Sequence, residues 1–173
     1  MTKLTKKQIS ELDIDWYCLI DGSPTHIASM GGMIPGEFRE RKKLRPIQEF
    51  VAKMEPFTKV ILMSENIKGF VEKGYEYLDD EMIREAVEMA NEDLPGFKYL
   101  HSEGYDLPTC LFASTFVEKA RRGFRSFARL EYAEVDKYIL IAEPEKLVDY
   151  KEYNLCLEEL DCQQSENGMI IKF

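Results

Sequence analysis

The feature that most limits the fold is the run WYCLIDGSPTHIASM, residues 16–30, in which two apolar segments flank a polar tetrapeptide. Residues 16–20 are too few and too uniformly apolar for a surface helix, so they predict a buried strand. Asp21, Gly22, Ser23 and Pro24 each favour a turn, by φ preference or by bonding to local backbone. Residues 25–30 return as a second strand, giving a β-hairpin with a four-residue connection over 21–24. A chain that opens on antiparallel pairing, with clustered rather than alternating elements after it, points to α+β and away from a doubly wound sheet. On the returning strand His26, Ala28 and Met30 share one face, Ile27 and Ser29 the other. His26 is thereby turned toward the core or its edge, where its ring needs partners, and Asp21 and Asp15 are the carboxylates that can supply one.

The remaining elements follow from periodicity and breakers. Residues 4–12 predict a short helix with Thr5 as N-cap, Gln8 completing a capping box, and Leu4 and Ile9 as a hydrophobic staple. GGMIPG, 31–36, reads as a loop. The basic stretch 39–46 leads into a helix with Pro46 in its first turn and Ile47, Phe50, Val51 and Met54 on one face, stopped by Pro56. A strand is predicted at 60–63, and loop or short turns over 64–77, where two glycines interrupt any period. The clearest helix is 79–91, with Met82, Ile83, Ala86, Val87 and Ala90 as its apolar stripe. Asp79, Asp80 and Glu81 sit at its positive end, and Asp80 is spaced to pair with Arg84.

Short apolar runs at 97–100 and 111–113 read as strands. Residues 115–130 allow either one helix capped by Thr115 or a helix that breaks at Gly123 into a strand. Holding Gly123 inside a helix costs about 1 kcal/mol relative to Ala, which favours the break. Residues 138–142 predict a strand, 143–150 a helical turn starting near Pro144, and 169–173 a last strand. The expectation is one α+β domain over residues 1–173, with the N-terminal hairpin in a mostly antiparallel sheet of five to seven strands packed with about three helices.

Composition narrows the class. A hydrophobic fraction of 45% and an aromatic fraction of 12% can furnish a core, which excludes a disordered chain. No apolar run reaches membrane-spanning length, and the N-terminal lysines precede no apolar stretch, so neither a membrane segment nor a secretory signal is expected. Cys18, Cys110, Cys156 and Cys162 lack CxxC spacing and read as reduced thiols of a cytoplasmic protein. The net charge of −9 repels nucleic acid and attracts basic partners. The exception is KARRGFRSFARL, 119–130, with five cations and no carboxylate.

Little in the chain carries recognisable chemistry. With two histidines and no local ligand cluster, no metal site and no cofactor are expected; Asp13 and Asp15 alone do not make a cation site. Gly31–Gly32 lacks a phosphate-loop context, and Gly22–Ser23 lacks a nucleophile elbow. The weak catalytic candidates are His26, His101, Asp21 and Cys110, of which His101 and Cys110 make a thiol–imidazole pair only if the fold joins them. Arg121, Arg122, Arg125 and Arg129, with Phe124 and Phe127 between them, are candidates for anion binding, set against pairing with the acidic surroundings. Tyr75, Tyr77, Asp79, Asp80, Tyr150 and Tyr153 combine aromatic anchors with negative charge, the chemistry of a protein-docking surface.

Three functions are consistent with this. The first is a non-enzymatic domain that binds a basic protein, such as an acidic inhibitor or immunity protein. The second is a small hydrolase or transferase for a phosphorylated or nucleotide ligand, which requires its candidates around one pocket. The third is a structural subunit, which requires an extended apolar surface.

Overall fold

The computed structural model describes residues 4, 14–30, 34–74, 79–130, 137–165 and 168–171. Among these are seven strands and five α-helices. β1 (Asp15–Ile20) and β2 (Ser23–Ala28) form the hairpin, followed by a 3-10 turn (Gly36–Arg39) and α1 (Arg41–Lys53). β3 (Val60–Leu62), α2 (Ser64–Gly74), α3 (Asp80–Asp93), α4 (Pro95–Ser102) and α5 (Leu107–Ala120) come next. β4 (Arg125–Arg129), β5 (Lys137–Pro144), β6 (Cys162–Ser165) and β7 (Gly168–Ile171) complete the order.

The sheet runs β1-β2-β4-β5-β7-β6, with β3 beside the second half of β5. Every pairing is antiparallel except β2 with β4. The sheet curls until its edges meet. Leu19 N–H donates to Glu158 O (2.8 Å) and Leu160 N–H to Leu19 O (2.8 Å), and this segment runs directly into β6. The concave face encloses Trp16, Ile27, Phe127, Tyr138, Met169 and Ile171, and Leu4, Ile14, Ile34, Phe38 and Leu44 join the same cluster. Trp16 is fully buried and packs on Phe38, 5.0 Å between centroids. α5 covers β4 and β5 on the convex face, over Ala28, Ala128 and Ala142, whose small side chains let the helix approach.

The hairpin turn is tighter than the residues suggested. Asp21 and Gly22 alone form it, with φ of 49° and 72°, while Ser23 and Pro24 already belong to β2. Two consecutive positive φ angles make a type I′ connection, whose twist suits paired strands and which Asp-Gly favours. The break at Gly123 is present. α5 ends at Ala120, Gly123 takes φ 85°, and β4 starts at Arg125. A Cβ there would lie 2.4 Å from Val148 N.

Several expectations need correction. Among the described residues there are five α-helices rather than about three. Residues 64–74 form α2, because Ile67, Phe70 and Val71 share an inward face and Phe70 stacks on Phe112 at 5.0 Å. Gly69 sits on the open side of that helix. Residues 97–100 and 111–113 are helical, in α4 and α5. Short apolar runs have no period of their own, and here Pro95 opens α4 while Asp106 caps α5 by accepting from Thr109 N–H (2.9 Å). Thr115 is therefore an interior helix residue, not a cap. α1 begins five residues before Pro46, since Leu44, Ile47 and Val51 extend its buried stripe upstream. Residues 143–150 form no helical turn, because β5 continues to Pro144 opposite Val60 and Glu145 N–H donates to Lys59 O. β6 was not anticipated. The expected helix over 4–12, apart from buried Leu4, and residues 31–33 of the expected loop lie outside the described residues.

Candidate functional site

Register places a polar row on the convex face of the sheet. Tyr17 stands opposite His26, and His26 beside Ser126, across β1, β2 and β4. His26 Nδ1 lies 2.6 Å from Ser126 Oγ and Nε2 lies 2.8 Å from Asp15 Oδ1. Of the two carboxylates considered for His26, Asp15 is its partner; Asp21 stays in the turn and accepts from Gln164. From α5, Lys119 Nζ reaches Asp15 Oδ2 at 3.3 Å, and from α1 Gln48 Nε2 donates to Asp15 O at 2.6 Å. Burial alone would raise the Asp15 pKa, but the His26 ring and the Lys119 ammonium outweigh it and hold the carboxyl far below its ordinary range. Burial, with the Asp15 charge nearby, pushes the Tyr17 phenol well above 10.

This network borders a cleft of about 530 Å³ between α1 and α5, over β1 and β2. Asp15, Gln48 and Lys119 form its polar side, and Met30, Leu111, Phe112 and Phe116 its apolar side. Ser, His and Asp are the residue types of a nucleophilic relay, yet the order relative to the cleft is inverted. Ser126 is 0% and His26 1% exposed, whereas the Asp15 side chain is 37% exposed. A nucleophile must touch its substrate, and here the group presented to the cleft is a carboxylate. The relay ties three strands together and pins Asp15. A second cavity, about 480 Å³, opens at the β3 end of the curled sheet, beside Arg125, Phe127 and Gln164.

The other candidates do not gather here. His101 is exposed in the last turn of α4 with its ring 6.0 Å from Phe97. Cys110 is buried on α5, its thiol donating to Tyr105 O (3.5 Å), and burial pushes its pKa up to about 11. The fold gives these two residues different partners. Arg121 lies 4.3 Å over the Tyr99 ring, and Arg122 donates to Met54 O and Glu118 O. Arg125 sits 3.4 Å from Glu143, and Arg129 ends β4 half-buried. The basic island is spent on internal contacts along a helix end, a turn and a strand. Among the described residues no three metal-ligating side chains cluster, and no helix is long and apolar enough to cross a membrane.

Of the tyrosine and acid candidates, Tyr75 and Tyr77 lie outside the described residues. Asp79 caps α3 by accepting from Met82 N–H (2.9 Å), and Asp80 follows it, exposed. Tyr153 packs on Phe50 of α1 (5.6 Å), and Lys151 lies over Tyr150 (5.8 Å). Tyr153 borders α1, while α3 rests on α4 and α5. On α3, Ile83, Ala86 and Val87 are half-buried, but Met82, expected in that stripe, is 48% exposed and Met89 78%.

Reading the sequence missed Ser126, Lys119 and Gln48 as partners of this site. Ser126 alternates with Ala128 on the face of β4 that meets His26, a signal visible only once the strand pairing is known. No family model matches the chain, and neither a curated protein nor a solved structure was found to be similar to it.

Proposed function

We propose that the chain is a non-enzymatic, cytoplasmic protein-binding domain that docks a basic partner, in the manner of an acidic inhibitor or immunity protein. The observation that carries this reading is the solvent face of α3. Met82 and Met89, 48% and 78% exposed and two turns apart, lie among the exposed acids Asp79, Asp80, Glu81, Glu85 and Glu88. Thioether side chains adapt to varied partner surfaces, and carboxylates around them steer a basic surface into register. Arg84 is the single cation of that helix. The free thiols of all four cysteines suit a reducing compartment.

A hydrolase or transferase reading draws on the cleft beside Asp15 and His26, but its serine and imidazole are sealed from that cleft. The docking reading is tested by immobilising the full chain and a Glu81→Lys, Glu85→Lys, Glu88→Lys variant and identifying proteins retained at low and moderate salt. A basic protein held by the native chain at low salt and released from the variant is the expected result. Failure to retain any basic protein at either salt, or equal retention by the variant, refutes the reading.

A further inference from the structure

We propose that the cleft between α1 and α5 binds a planar nitrogen heterocycle carrying an exocyclic amine, an adenine- or cytosine-type ring, read by Asp15 and Lys119. The volume, about 530 Å³, falls in the roughly 300–1,000 Å³ range of small-molecule sites. Its lining is divided as such a ligand requires. Phe112 and Phe116, 5.5 Å apart, with Leu111 and Met30, offer aromatic and apolar contact for the faces of a ring. The polar side sets a fixed acceptor next to a fixed donor.

Asp15 gives one lone pair to His26 and one to Lys119, and a carboxylate has about four, so it can accept further bonds. The Lys119 ammonium has three protons and commits one to Asp15. The matching edge is therefore an acceptor adjacent to a donor, which a ring nitrogen beside an exocyclic amine provides. A purine with hydrogen in place of the exocyclic amine keeps the ring nitrogen but leaves the carboxylate without a donor on that edge. Gln48 fixes the Asp15 backbone and His26 its side chain, so the acceptor is in place before the ligand arrives. Asp15 and Lys119 cancel in charge, and the protein is acidic overall, so the site favours an uncharged base or nucleoside over a phosphorylated polymer.

The test is a titration of the ¹⁵N-labelled full chain with adenosine and, separately, purine riboside, which lacks the exocyclic amine, followed by amide chemical shifts. Saturable shifts at Thr115 and Lys119 are expected, with adenosine binding about tenfold or more tightly than purine riboside, since a site built to accept from an amine rejects the analogue without one. Lys119→Met keeps the packing stem and weakens adenosine about tenfold or more, while Thr115→Trp, at the exposed rim, blocks it. Hairpin amide shifts that match the native chain establish that each variant is folded. Absence of saturable shifts around the cleft, equal affinity for purine riboside, or full affinity in folded Lys119→Met overturns the proposal. The charge reversals on α3 leave adenosine binding unchanged, which keeps this result separate from that of the docking surface.

Discussion

Replacing Asp15 by Asn isolates the contribution of the buried relay. The carboxylate bonds His26, which is 1% exposed, at 2.8 Å, and Lys119 at 3.3 Å. A hydrogen bond to a charged group contributes about 1.5–3 kcal/mol, and an ion pair on a partly exposed carboxylate under about 1 kcal/mol. The amide retains a carbonyl oxygen for the ring, which places the expected loss near 2 kcal/mol. In a chain of this size that is a fall in Tm of about 4–8 °C. The pH dependence gives a second, independent reading. Asp15 is held below its unfolded value, so its stabilisation is complete above that value, about pH 4, and is lost as pH falls through the folded pKa. Urea denaturation of both proteins should show the full difference at neutral pH and a shrinking one at about pH 3. A variant within about 0.5 kcal/mol of the native chain at pH 7, or a difference that persists undiminished in acid, would refute the role given to the carboxylate.

Gly123→Ala combines a left-handed backbone with a Cβ 2.4 Å from Val148 N, and should destabilise by about 2–3 kcal/mol in the same assay; a loss under about 0.5 kcal/mol would mean the 120–125 turn relaxes freely. Exposed Cys156 should alkylate within the time that buried Cys18 and Cys110 stay intact, since burial holds both thiols protonated at neutral pH. Peptide mass spectrometry of the native chain after brief iodoacetamide treatment reads this out, and equal labelling of Cys110 and Cys156 would contradict the packing of α5.

The elements with their own period or breaker were legible from residues alone. The hairpin, the α3 segment, β5 and the Gly123 break each carried a local signal, and each formed. What failed were short apolar runs such as 97–100 and 111–113, whose helical state is decided by α4 and α5 packing against each other. Gly96 shows this dependence, for a Cβ there would fall 2.0 Å from Ser114 O. Residues 64–74 failed for the opposite reason, because Gly69 weakened a local pattern that burial of Ile67 and Phe70 restores. At the cleft, His26 and its need for a carboxylate could be argued from alternation. Ser126 and Lys119, 100 and 104 residues from their partners His26 and Asp15, enter only through the parallel pairing of β2 with β4 and the seat of α5 on the sheet.

The closure of the sheet through residues 158–160 has a consequence for synthesis. β1 and β2 are made before the rest of the sheet, but Leu19 on the edge of β1, which bonds Glu158 and Leu160, lacks these partners until residues 158–160 have been produced. Until then a nascent chain carries Trp16, Cys18 and Ile20 on a strand with an open edge, the kind of surface that recruits other chains. Chains interrupted before residue 158 keep that edge for good. Quality control of such fragments thus falls on the hairpin, and the later segment acts as the clasp that ends its exposure.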